Sequence, residues 1–297
     1  MRDRLTGIFP PIPTNYDPAT GEVDTAAMTA NVRRLMSTGL AGVLVLGSNG
    51  EAPLLSDEES DRAVRAVREV VPGDRLLMVG TGRESTVATV AASLRAAAAG
   101  ADAVLVRVPS VYKGRMTDDA LVDHFTEVAN ASPVPVLLYN IPAMTGISLS
   151  VPAVRRLAEH ENIAGLKETS TNLERVAAFA AVRPGVFMVL CGSAPVLYPG
   201  LAAGAVGGIH GVANVLPEAC LDLFRKARAG RHDDALAAQR RLTHIAQLVT
   251  TLHGPPGLKA ALDLMGYAGG PVRPPLQPVS DAVRADIESA LAEFRQA

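Results

Sequence analysis

The chain has 297 residues, 48% of them hydrophobic and 20% charged, with a formal net charge of -2. That composition belongs to a globular protein with a sizeable core and excludes a disordered chain. The balanced charge leaves no basic excess with which to neutralise nucleic-acid phosphates or hold an anionic membrane, so neither is expected as a partner. In chain order, eight apolar, β-branched runs of strand length recur: GIFPPIPT from residue 7, GVLVLGS from 42, RLLMVGT from 75, AVLVRVP from 103, PVLLYNI from 135, IAGLKET from 163, VFMVLCGS from 186 and VGGIHG from 206. Near-continuous hydrophobicity is the mark of parallel strands covered on both faces, and the helix-length stretches between the runs imply βα units. The expected fold is α/β, a single (β/α)₈ barrel over 1–228 with a C-terminal helical extension over 229–297.

Between the runs, Met28, Val32, Leu35 and Met36 fall at helical spacing. Ser56 with Glu59, and Thr171 with Glu174, offer capping boxes. Gly39, Gly100 and Gly204 each precede a strand, as a glycine closing a helix would. After His210 the pattern predicts helices near 217–228, 232–251 and 280–295, the last two separated by segments rich in proline and glycine. The start, MRDRLTGIFPPIPT, has no apolar stretch of signal-peptide length, and no run reaches the ~20 residues of a membrane span, so a cytoplasmic location is expected. Two cysteines are too few for a disulfide framework, and the six histidines show no metal-ligand spacing, so no metal is expected.

Active sites of such barrels lie at the C-terminal ends of the strands, where polar residues interrupt apolar runs. That filter selects Ser48, Asn49, Tyr139, Asn140, Lys167 and Thr169. Of the four lysines, Lys113, Lys226 and Lys259 sit in stretches that read as solvent-facing or amphipathic, and Lys167 alone closes a strand. An ammonium desolvated there costs several kcal/mol, and shedding the proton leaves a nucleophilic amine. The alternative is a lysine that reaches the rim or pairs with a carboxylate such as Glu168. Tyr139 is placed to move protons, or else is a core tyrosine with a satisfied hydroxyl. The segment Gly47–Glu51 offers backbone N–H groups to a carboxylate, with the Ser48 hydroxyl in reach of Tyr139. Thr169 lies two residues beyond Lys167, on the same strand face, whereas Glu168 faces away. Nucleotide-binding glycine motifs and GxSxG are absent.

The motifs GSNGE at 47–51, YNIPAMTG at 139–146, GLKETS at 165–170, GSAP at 192–195, GAVGGIHGVANVLP at 204–217 and GPPGLKAALDLMGYAGGPVRPPL near the end resemble, in order and spacing, the dihydrodipicolinate synthase/N-acetylneuraminate lyase family of class I aldolases. The resemblance implies a homodimeric or homotetrameric barrel that acts on a small 2-oxo acid, pyruvate or a pyruvate-derived donor, without a cofactor. By the same resemblance Lys167 forms the Schiff base, Tyr139 and Ser48 transfer protons, Ser48 and Asn49 hold the donor carboxylate, and Gly192 and Ile209 line the donor pocket.

Two departures bear on the second substrate. Met144 stands where the synthases carry an arginine for its carboxylate, a pairing that methionine cannot make; an arginine from elsewhere, such as Arg115, is one replacement. Pro109-Ser110-Val111-Tyr112 stands where the synthases have PYY, so the interface tyrosine is either missing or moved to Tyr112, a candidate relay. GSNGE, YKGRM, Thr169, GSAP, GAVGG and GYAGGP are closer to the 4-hydroxy-2-oxoglutarate aldolase branch, whose members release pyruvate and glyoxylate. Dihydrodipicolinate synthase, a sugar-acid aldolase or dehydratase, and a non-catalytic oxo-acid-binding paralogue are the alternatives.

Overall fold

The computed structural model describes residues 2–296. Each apolar run yields one strand: β1 Gly7–Phe9, β2 Gly42–Val45, β3 Leu76–Gly80, β4 Ala103–Arg107, β5 Val136–Asn140, β6 Ile163–Glu168, β7 Met188–Cys191 and β8 Gly207–Ile209. All are parallel, in the order β1-β8-β7-β6-β5-β4-β3-β2. A single bridge between Pro11 and Leu44 joins the two ends, with Ile12 N–H on Leu44 O and Leu44 N–H on Pro10 O, each at 2.9 Å. Pro10 and Pro11 lack N–H donors, which keeps this seam short. The result is a (β/α)₈ barrel.

Between the strands lie α1 Thr25–Met36, α2 Asp57–Arg68, α3 Thr86–Ala98, α4 Asp118–Ala131, the single turn α5 Pro142–Thr145, α6 Val151–Leu157, α7 Leu173–Ala180 and α8 Leu197–Ala202; α9 Pro217–Arg228, α10 His232–Ala246, α11 Gly254–Leu264 and α12 Asp281–Gln296 come after β8. The core has two layers. Phe9, Leu44, Met78, Leu105, Leu137, Leu190 and Ile209 fill the barrel, while Val43, Val45, Val104, Val106 and Leu138 face the helices. That is the inward and outward alternation of barrel strands. On α1, Met28, Val32 and Leu35 are buried as their spacing predicts.

Several local expectations need correction. The Ser56–Glu59 capping box is present, but α7 is capped by Asn172, whose side chain accepts from Arg175 N–H, and not by Thr171. Gly100 and Gly204 are left-handed, with φ of 94° and 107°; Gly39 is not, because α1 already ends at Ser37 and the chain needs no reversal there. α11 was not foreseen: its GPPG start reads as a breaker, yet proline is tolerated in the first helical turn, where its missing N–H has no partner to lose. Among the described residues, no helix is long and apolar enough to cross a membrane.

Candidate active site

The β5–β6 ladder carries a one-residue irregularity: Val136 faces Ile163, but Leu137 faces Gly165. Such a bulge re-aims every later side chain. Uninterrupted pairing would set Tyr139 against Leu166; the extra residue sets it against Lys167 instead. Both side chains then share the barrel mouth, 5% and 3% exposed. Lys167 Nζ donates to Tyr139 Oη at 3.3 Å and lies 4.3 Å from the ring centroid. Tyr139 Oη is in turn 3.4 Å from Ser48 Oγ. The lysine does not reach for the rim.

Glu168 does not pair with Lys167 either. Its buried carboxylate accepts from Asn140 Nδ2 and from Ser170 N–H, both at 2.7 Å, with Arg175 Nε at 3.7 Å. Asn140 thus faces away from the cavity: its Oδ1 accepts Leu149 N–H at 2.9 Å, tying the loop after β5 to β6.

Ser48 and Asn49 open a tight turn bracketed by two non-glycine residues with left-handed backbone, Leu46 at φ 58° and Glu51 at φ 54°. Gly50 N–H and Glu51 N–H close the turn onto Gly47 O and Ser48 O. The first N–H groups of a helical turn have no partner within it, so those of Ser48 and Asn49 are available to a ligand. Thr14 Oγ1 holds Gly50 O at 2.6 Å.

A cavity of about 430 Å³ is lined by Ser48, Asn49, Tyr139, Lys167, Thr169, Gly192 and Ile209 together. Among the described residues, no carboxylate lines it, and Lys167 is its one lysine or arginine. Thr169 Oγ1 is buried without a partner. Gly192 permits that placement, because a Cβ there would stand 2.4 Å from Thr169 Oγ1. Thr250 and Thr251 close one side from a wide helical turn, Gln247–Leu252, of a kind frequent at functional sites. Beside the strand ends, His210 is fully buried, and burial, then the charge at Lys167, pushes its pKa down to about 3 against the opposing effect of the Gly192 backbone.

A second cavity, of about 610 Å³, shares Ser48, Tyr139, Ile141 and Met144 with the first and extends over β2–β4 to Arg83, Glu84, Arg107 and Ser110. Here the arginines are Arg107 and Arg83, and not the anticipated Arg115, which is exposed in the turn after β4. Arg107 is paired with Glu84 at 2.7 Å. Burial raises the Glu84 carboxyl, but Ser110 N–H, Val111 N–H and Arg107 hold it down at about 2. Tyr112 is 74% exposed and lines neither cavity, so this chain alone does not bring it to Tyr139.

Three features escaped sequence reasoning. Arg107 was absorbed into an apolar strand run, and Thr250–Thr251 lay in a stretch read as the end of an ordinary helix. Lys259, in a stretch read as solvent-facing or amphipathic, is 2% exposed and paired with Glu51 at 2.6 Å. Its segment GLKAALD carries an amphipathic pattern, but α11 is covered on the lysine's side as well.

The model of the dihydrodipicolinate synthetase family matches residues 4–294. A 4-hydroxy-tetrahydrodipicolinate synthase of an Exiguobacterium species is 32% identical, with 98% of this chain and 99% of the relative covered. A probable mitochondrial 4-hydroxy-2-oxoglutarate aldolase of Emericella nidulans is 37% identical, with 92% and 89% covered. The crystal structure of YagE, a prophage protein of E. coli K12 in complex with pyruvate, superposes with a TM-score of 0.91 at 29% identity, covering 99% of each chain. Fold and these likenesses agree over nearly the whole length, and the chain belongs to the dihydrodipicolinate synthetase family.

Proposed function

We propose that this protein is a Schiff-base-forming lyase of small 2-oxo acids, acting most directly as a 4-hydroxy-2-oxoglutarate aldolase. The observation that carries the reading is the line Lys167 Nζ, Tyr139 Oη, Ser48 Oγ, with successive spacings of 3.3 and 3.4 Å, in a cavity that no carboxylate lines. A nucleophile and a proton carrier in contact suit carbonyl chemistry.

In this mechanism the donor carboxylate docks on the N–H groups of Ser48 and Asn49, and Thr169 offers its hydroxyl beside it. The Lys167 amine adds to C2, and Tyr139 protonates the departing hydroxyl, giving water and an iminium. Removal of the C4-hydroxyl proton through Tyr139 and Ser48 breaks C3–C4; the bond electrons pass to the iminium nitrogen, leaving an enamine and glyoxylate. Protonation at C3 and hydrolysis return pyruvate and the free amine. Likeness to the fungal aldolase and to the pyruvate-bound E. coli protein supports this route.

Borohydride with pyruvate is expected to add a stable mass to the peptide holding Lys167. Absence of labelling in folded protein, or labelling that survives Lys167→Ala, sinks the mechanism; pyruvate binding without an imine would mark a non-catalytic paralogue. A panel of 4-hydroxy-2-oxo acids, monitored for pyruvate release, then fixes the substrate.

The second reading is 4-hydroxy-tetrahydrodipicolinate synthase, favoured by the roomy adjoining cavity with Arg107 and Arg83 on its wall. Turnover of pyruvate with aspartate semialdehyde at an ordinary enzymatic rate decides for it. We further propose that the working unit is a homo-oligomer.

A further inference from the structure

We propose that Glu51 and Lys259 are a positioning pair that pins the 47–51 turn to α11 and thereby sets the affinity of the Lys167 site for the donor carboxylate. The donor half of this statement rests on the imine reading above; the pinning half does not.

Both side chains are sequestered, with exposures of 0% for Glu51 and 2% for Lys259, and their Nζ–Oε1 separation is 2.6 Å. The other carboxylate oxygen, Oε2, accepts Arg273 N–H at 2.8 Å. Lys259 Nζ also donates to Pro271 O at 2.6 Å and lies 4.4 Å from the Tyr16 ring centroid. Arg273 stacks on the same ring at 4.3 Å and pairs with Glu59 through both terminal nitrogens at 2.7 Å. Two C-terminal segments, α11 and 271–273, therefore converge on one residue of the turn. That residue is Glu51.

Its backbone makes it the lever. Glu51 holds a left-handed conformation that L side chains disfavour, and such strain persists only where surroundings over-determine it. Glu51 N–H closes on Ser48 O at 3.1 Å, so movement at Glu51 passes within one turn to Ser48, whose hydroxyl faces Tyr139. Glycines at 47 and 50 give the turn little stiffness of its own. Stability alone does not account for the pair, because buried ion pairs are commonly replaced by apolar residues without loss. Its location accounts for it: the charges fix a turn whose Ser48 and Asn49 line the same cavity as Lys167.

The test compares wild type with Glu51→Gln and with the double variant E51Q/K259M, which leaves no buried charge unpaired. Amide hydrogen exchange of the ligand-free protein reads the turn, and borohydride trapping with pyruvate reads the donor site. In both variants exchange of the Gly50 and Glu51 amides, which close the turn, is expected to rise roughly tenfold or more, with β5 and β6 unchanged. The pyruvate concentration for half-maximal trapping is expected to rise about tenfold, with the trapping rate at saturation within about threefold of wild type. Any outcome in which loop exchange and half-saturation fail to rise together overturns the proposal, as does unfolding of both variants, which would make the pair a global stabiliser. If wild type itself is not trapped at Lys167, the imine reading falls and the exchange result alone decides whether the pair pins the turn.

Discussion

The Tyr139 hydroxyl stands 3.3 Å from Lys167 Nζ, on the neighbouring strand and in direct register with it. A buried amine in hydrogen-bond contact with a phenol has the geometry that general acid–base catalysis requires. Tyr139→Phe removes only the hydroxyl and keeps the buried ring. Turnover is expected to fall by roughly two to four orders of magnitude, the range for positioned acid–base groups. Thermal stability should barely change and Lys167 should remain trappable, more slowly. Near-wild-type turnover would return Tyr139 to a packing role.

Tyr112→Phe is expected to have a smaller effect than Tyr139→Phe, since Tyr112 points to solvent in the single chain. Steady-state rates of the two variants, measured at the same oligomeric state, make the comparison. A loss as large as that of Tyr139→Phe would mean that a second subunit delivers Tyr112 to the relay.

Gly192→Ala probes the crowding beside Thr169. The new Cβ would meet Thr169 Oγ1 at 2.4 Å and Glu168 O at 2.9 Å, and the second of these is backbone that cannot rotate away. A stability loss of about 1–3 kcal/mol is expected, together with weaker pyruvate trapping. Thr169→Val is the companion: it deletes an unpartnered buried hydroxyl at constant shape, so stability should hold while donor affinity drops. Unchanged trapping in Thr169→Val would remove Thr169 from the donor site.

His210 predicts an acid-side weakness. Its folded pKa of about 3 lies below the ordinary 6.5, so the unfolded chain takes up the proton first. The neutral imidazole is no liability above pH 6.5, and stability declines as pH falls from there toward 3, by up to about 1.4 kcal/mol per pH unit. His124, pushed down to about 4 by burial, adds a second such slope. Urea midpoints at pH 7 and pH 5 should converge in His210→Leu relative to wild type; an identical decline in both would clear His210.

The barrel was legible because parallel strands buried on both faces are written as unbroken apolar runs, and all eight runs became strands. The lining of the candidate site was legible at Lys167, Tyr139, Ser48, Asn49 and Thr169, which meet in one cavity, because polar residues closing such runs have few reasons to be there. Arg107 was missed because one charge inside AVLVRVP does not disturb the strand pattern. Lys259 was misplaced for a related reason: periodicity reports the faces of an isolated helix and not what a later segment lays across them. The pairing of Glu51 with Lys259 joins residues 208 positions apart, beyond the reach of any local pattern.

The bulge between β5 and β6 makes the chemistry depend on counting as well as on composition. Ile163 faces the helices, and plain alternation from it would turn Lys167 the same way; the extra residue reverses that parity. Deleting Ala164 would remove the bulge yet leave Gly165 opposite Leu137 and Lys167 opposite Tyr139, so the amine would still point into the barrel mouth. Deleting Leu166 instead would set Lys167 opposite Leu138, toward the helical layer. Two genes, each short by one codon and each retaining Lys167, Tyr139, Ser48 and Thr169, would thus encode a competent barrel in one case and an inert one in the other. A motif comparison that tolerates a gap in this stretch cannot tell them apart.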